Sequence, residues 1–84
     1  MNQVNVLFFA TLRDKAGIKS VLLDVETGTT IEQLKVLLVE RYPGLNGLMS
    51  HCLASINHEY RFDESEIPTG AEIAFFPPVS GGCL

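Results

Sequence analysis

The stretch Thr30-Ile31-Glu32-Gln33-Leu34-Lys35-Val36-Leu37-Leu38-Val39-Glu40-Arg41-Tyr42 is the one long helical pattern in the chain, and its setting among short strand-like runs decides the fold. Thr30 and Gln33 stand at capping-box spacing, where a hydroxyl and an amide side chain reciprocally satisfy free amide groups at a helix start. Ile31, Leu34, Leu37 and Leu38 recur at helical spacing and are expected to form the buried stripe, with Glu32, Lys35 and Glu40 toward water. Pro43-Gly44 ends the helix.

Outward from this helix the chain alternates strand signals with turns. Upstream, residues 4–10 read as a strand with Val4, Val6 and Phe8 on one face and Asn5, Leu7 and Phe9 on the other. Thr11 is placed to cap a short helix through Ala16 that Gly17 stops, and residues 20–25 form a second strand ended by Glu26-Thr27-Gly28-Thr29. Downstream come a loop over 44–50 with one helical turn through Leu45 and Leu48, a strand over 53–57, and a turn at His58-Glu59. A short segment over 60–62, a second turn at Pro68-Thr69-Gly70-Ala71 and a last strand over 72–76 complete the order. This succession suits an α+β roll: a mixed sheet of four to five strands with one main helix packed across it. Such a sheet leaves one face open. With Phe8 and Phe75 in the core, Phe9 and Phe76 fall on the open face and Tyr60 joins them, a cluster expected to be an interface.

Composition narrows the function. The chain has 84 residues, 46% of them hydrophobic, enough for one small core. Its formal net charge is -4 and its six Lys and Arg residues are scattered, which argues against nucleic acid and anionic membranes and for partners with basic or apolar docking sites. No apolar run is long enough to span a bilayer and the first residues lack a charged-then-apolar layout, so a cytosolic location is expected. Cys52 and Cys83 have neither disulfide-framework nor metal-ligand spacing; Cys52 reads as a small buried hydrophobe. His51 and His58 read as surface histidines, and Asp63-Glu64-Ser65-Glu66 as a solvated acidic loop, so no metal site is expected. Phosphate-binding loops and nucleophile elbows are absent. Nothing here runs chemistry alone.

The chain closes on Phe75-Phe76-Pro77-Pro78-Val79-Ser80-Gly81-Gly82-Cys83-Leu84, which divides it into a domain over 1–76 and a flexible tail over 77–84. Pro77 and Pro78 fix φ and remove two donors, ending sheet pairing and sending the rest away from the body. Gly81 and Gly82 are slim enough for a narrow channel. From Phe76 to Gly82 an extended chain reaches roughly 20 Å. That is enough to enter another protein's active site.

Val6-Leu7-Phe8-Phe9-Ala10-Thr11-Leu12-Arg13, Ala54-Ser55-Ile56-Asn57 and Gly70-Ala71-Glu72-Ile73-Ala74-Phe75-Phe76 with the tail through Pro77, Pro78, Val79, Ser80, Gly81 and Gly82 together resemble the small subunit of molybdopterin synthase, the MoaD-type sulfur carriers. The resemblance spans nearly the whole chain, and the Phe-Pro-Pro-Val-Ser-Gly-Gly ending is its most specific part. It implies a ubiquitin-like β-grasp fold. It also implies that Gly82 is the acyl residue: a ubiquitin-activating-like enzyme uses ATP and magnesium to adenylate its carboxylate, and a sulfur donor replaces AMP to leave a thiocarboxylate. Activation is needed because a free α-carboxylate, with a pKa of about 3.3–3.7, is ionised and resists attack. The sulfur then passes to cyclic pyranopterin monophosphate in the large synthase subunit, within a heterotetramer. By the same resemblance Phe9, Tyr60 and Phe76 dock both partners, the catalytic acids and bases belong to those partners, and the carrier itself holds no cofactor.

Cys83 and Leu84 depart from that pattern, because they leave Gly82 without a free carboxylate. Three explanations stand: a peptidase of the metal-dependent JAMM type removes Cys-Leu between Gly82 and Cys83; Cys83 itself carries a persulfide; or the divergent end leaves the chain inactive. Other functions also remain open at this point, namely a sulfur carrier for a thiocarboxylate metabolite, cysteine or thiamine, a ubiquitin-like protein modifier joined through Gly82, and a plain binding module.

Overall fold

The structure, a computed structural model, describes residues 2–77. Strand β1 runs Asn2–Phe8, helix α1 Thr11–Ala16, β2 Ser20–Val25, α2 Ile31–Arg41, β3 Leu53–Ile56, β4 Glu59–Arg61 and β5 Glu72–Phe76, with 3₁₀ turns at Pro43–Leu45 and Met49–His51. The strands form one sheet in the order β2-β1-β5-β3-β4. β1 pairs with β5 in parallel and every other pairing is antiparallel, giving the mixed α+β sheet the sequence implies. The last strand therefore lies at the centre, between the first and third.

Alternation along these strands sorts the side chains. Val4, Val6 and Phe8 of β1, Leu23 and Val25 of β2 and Ile73 and Phe75 of β5 turn inward, where Ile31, Leu34 and Leu38 of α2 cover them. Phe8 stacks on Phe75 at 6.4 Å and meets Tyr42 edge-on at 6.0 Å. The capping box at Thr30 is present, Thr30 Oγ1 accepting from the Gln33 amide and Gln33 Oε1 from the Thr30 amide. The amides of Ile31 and Glu32 donate to the carbonyls of Ser65 and Asp63. All the free amides at the start of α2 are thus engaged by the protein itself, and no anion is needed there.

Strand ends shift by one or two residues, β1 being Asn2–Phe8 rather than 4–10, β3 Leu53–Ile56 rather than 53–57 and β4 Glu59–Arg61 rather than 60–62, and four further details differ from the sequence reading. Leu37 is 43% exposed, whereas Lys35 is buried at 7%. The reason is that two segments meet that side of α2: the one after β4 gives Lys35 Nζ the acceptor Asp63 Oδ1 at 2.7 Å, and the residue before β3 gives it the Cys52 carbonyl at 3.3 Å. Thr11 lies inside α1, and Ala10 occupies the cap with φ 53° and no side-chain cap bond. The turn between β3 and β4 is Asn57-His58, one residue earlier than expected, with both residues at positive φ. In place of one helical turn through Leu45 and Leu48 the chain makes two 3₁₀ turns, Pro43–Leu45 and Met49–His51. Gly17 stops α1 in the left-handed conformation as expected, at φ 83°.

Candidate functional site

The open face of the sheet is built by the residues that alternate outward. β1 contributes Asn5 and Leu7, β5 Glu72, Ala74 and Phe76, β3 Leu53 and Ser55, and β4 Tyr60. Phe9 follows β1 and is tied to β5 through its amide, which donates to the Phe75 carbonyl at 3.2 Å. Its ring stacks on Phe76 with centroids 4.8 Å apart and planes 12° apart, while Tyr60 leans against Phe76 at 6.0 Å. Phe9, Tyr60 and Phe76 are thus brought together from three separate parts of the chain. Tyr60 is 70% exposed and Phe9 42%, so no loop among the described residues covers the cluster. An aromatic stack of this kind left facing water is the usual chemistry of a docking surface.

Two further apolar residues widen it. Leu53 lies opposite Phe76 and is 43% exposed, and Phe62, just beyond Tyr60, is 81% exposed. The sequence reading missed both. For Leu53 the signal was present, since the alternation of 53 with Ser55 places it on the face of Phe76. For Phe62 it was not, because the residue lies past the last paired position of β4.

Polar groups stand at the opposite end of the same face. The His58 ring Nε2 is 3.3 Å from Glu72 Oε1, and Asn57 Oδ1 accepts from the Glu72 amide, locking the β3–β4 turn to the start of β5. Cys52 faces inward. Its thiol donates to the Met49 carbonyl at 3.1 Å, and burial pushes its pKa from 9.0 up to about 11, with the Lys35 charge pulling the other way. It is an inert core thiol at neutral pH. No group of metal-ligating side chains occurs among the described residues, and no helix there is long and apolar enough to cross a membrane.

Pro77 follows directly on Phe76 and is half-buried. Pro78, Val79, Ser80, Gly81, Gly82, Cys83 and Leu84, which carry the expected acyl site and its processing point, lie outside the described residues. What the structure does fix is their origin: β5 ends at Phe76, so the tail starts beside the aromatic cluster at the centre of the sheet.

Known proteins agree with this geometry. The ThiS family model matches residues 6–82. The molybdopterin synthase sulfur carrier subunit of Chlamydomonas reinhardtii is 33% identical, covering 95% of this chain and 99% of that protein. The subunit of the same name from Haemophilus influenzae is 36% identical, covering 94% and 99%. Among solved structures, SAMP1 from Haloferax volcanii superposes with a TM-score of 0.82 at 30% identity, covering 96% of this chain and all of that one. A chain of the complex of subunits 1 and 2 of the molybdopterin-converting factor from Helicobacter pylori shares the fold, with a TM-score of 0.66 at 20% identity over 95% of this chain and 99% of that one. The fold is the ubiquitin-like β-grasp, and the chain belongs to the ThiS family.

Proposed function

We propose that this protein is the sulfur-carrier subunit of a molybdopterin synthase. The observation that carries the reading is the uncovered Phe9–Phe76–Tyr60 cluster on the strand from which the tail departs, in a chain whose relatives bear that name. The domain docks through this face and so aims the tail into a partner's catalytic pocket, where proximity does the work that side chains of the carrier do not. In sequence, a peptidase cleaves after Gly82. The freed carboxylate attacks the α-phosphorus of ATP at a ubiquitin-activating-like enzyme, with magnesium, releasing pyrophosphate. A sulfur donor then displaces AMP, and the resulting thiocarboxylate delivers its sulfur to the pyranopterin held by the large subunit. The carrier binds no cofactor of its own and works in the cytosol.

Binding to the large subunit tests the docking claim. Phe76→Asp buries a carboxylate against apolar partner surface, and calorimetry should show affinity falling roughly thirtyfold or more with the far-ultraviolet dichroism unchanged. Undiminished affinity would remove the face from the mechanism. The similarity to SAMP1, a small archaeal modifier protein, supports a second reading in which a lysine amine captures the Gly82 adenylate. Gly82 remnants on lysines of other proteins, found by peptide mass spectrometry, would favour it over sulfur transfer.

A further inference from the structure

Within the open face lies a hollow of about 190 Å³. Sites for small molecules run about 300–1,000 Å³, so this one takes a single side chain rather than a metabolite. Strand register explains its shape. Ala74 sits opposite Leu7 of β1 and Ser55 of β3, and Ala74 and Ser55 are small and buried, so they form a floor. The next outward residues along β5 are Phe76 on one side and Glu72 on the other, each about 7 Å from Ala74. The hollow therefore has an aromatic wall, completed by Tyr60, at one end and at the other the Glu72 carboxylate, with the His58 ring Nε2 3.3 Å from its Oε1 and its second oxygen outside that contact.

The charge around it is one-sided. Of the six basic residues, Arg13 and Lys15 lie on α1, Lys19 before β2, Lys35 and Arg41 on α2, and Arg61 opposite Ala54 on the helix side of the sheet. None occupies an outward strand position, whereas Asp24 and Glu72 do. A cation brought by the partner meets no repulsion from a lysine or arginine of these strands.

Resting on the reading of this face as a docking surface, we propose that the hollow receives an arginine side chain of the partner. The apolar stem lies over Ala74 and Ser55, and the guanidinium spans from the rings of Phe76 and Tyr60 to the Glu72 carboxylate. Arginine suits both ends because its plane stacks on aromatic rings and its fork matches a carboxylate, and it loses less hydration than lysine. Leucine would fill the space but leave Glu72, once docking excludes water, with the His58 ring as its one side-chain partner among the described residues and no fork to match its carboxylate.

The test needs no partner protein. The full chain, labelled with nitrogen-15, is titrated by NMR with N-acetyl-arginine amide, N-acetyl-lysine amide and N-acetyl-leucine amide at low salt. Arginine amide should give saturating shifts at Leu7, Ser55, Glu72 and Ala74 and bind tighter than either competitor. Glu72→Gln should weaken arginine about fivefold and leave leucine unchanged. Leucine binding as tightly as arginine, an unchanged arginine affinity in Glu72→Gln, or no saturating shift at these residues overturns the assignment. A chain that fails here yet binds the large subunit through Phe76 loses only the arginine, not the docking face.

Discussion

At the residue scale the informative group is Lys35, a buried ammonium held by Asp63 and the Cys52 carbonyl. Asp63 is half exposed, so the pair is not a fully desolvated one, and its removal costs less than that of a sealed ion pair. Asp63→Ala leaves Lys35 with one weaker acceptor and should lower unfolding stability in urea by about 1–3 kcal/mol. Lys35→Met, which removes the charge and keeps the volume, should change it by less than about 1.5 kcal/mol. The reverse ranking would show that the pair is not what stabilises this corner. Cys52 adds a dependence on pH. Its thiol ionises at 9.0 when free and near 11 in the fold, so above pH 9 the unfolded chain sheds its proton first. Stability from this group is complete below pH 9 and declines as pH rises from 9 toward 11. Comparing Cys52→Ala with the parent over that range isolates the contribution: the parent should lose stability more steeply.

At the element scale, what could be read in advance follows how local the signal is. The capping box of α2, the bounds of β2 and β5 and the left-handed stop at Gly17 rest on neighbouring residues, and all stand as expected. Lys35 and Leu37 exchanged places because their burial depends on a segment about thirty residues away. Lys35 lies one turn after Ile31 on the same face, but only the crossing of the Asp63 loop makes that face a covered one. The β3–β4 turn was misplaced because its two left-handed positions hold Asn57 and His58 rather than the usual Asn-Gly. Gly44 shows a long-range demand of the same kind. A Cβ there would come 2.5 Å from the Lys15 carbonyl, so the turn after α2 packs directly on the end of α1. Gly44→Ala should therefore destabilise the protein by about 1–3 kcal/mol in denaturant unfolding. A neutral result would mean the two elements separate without cost.

At the scale of the whole molecule, the sheet gives one face to the core and leaves the other open, the face the proposed function assigns to recognition. Helix α2 seals the first, while Phe9, Tyr60 and Phe76 remain on the second. That face was legible because strand alternation is strict: once Phe8 and Phe75 are inside, Phe9 and Phe76 must be outside. That the rings cluster was expected from the sequence, but the parallel β1–β5 pairing that brings residues 9 and 76 into a stack was not legible in it. Under the proposed function the domain supplies orientation and Gly82 supplies the reacting carbon. Mass spectrometry of the protein purified from its own cells under molybdenum demand tests this most directly. The account predicts a mature chain ending at Gly82, with one carboxylate oxygen replaced by sulfur in part of the population. A chain that keeps Leu84 throughout while molybdopterin is made at the full rate would contradict it.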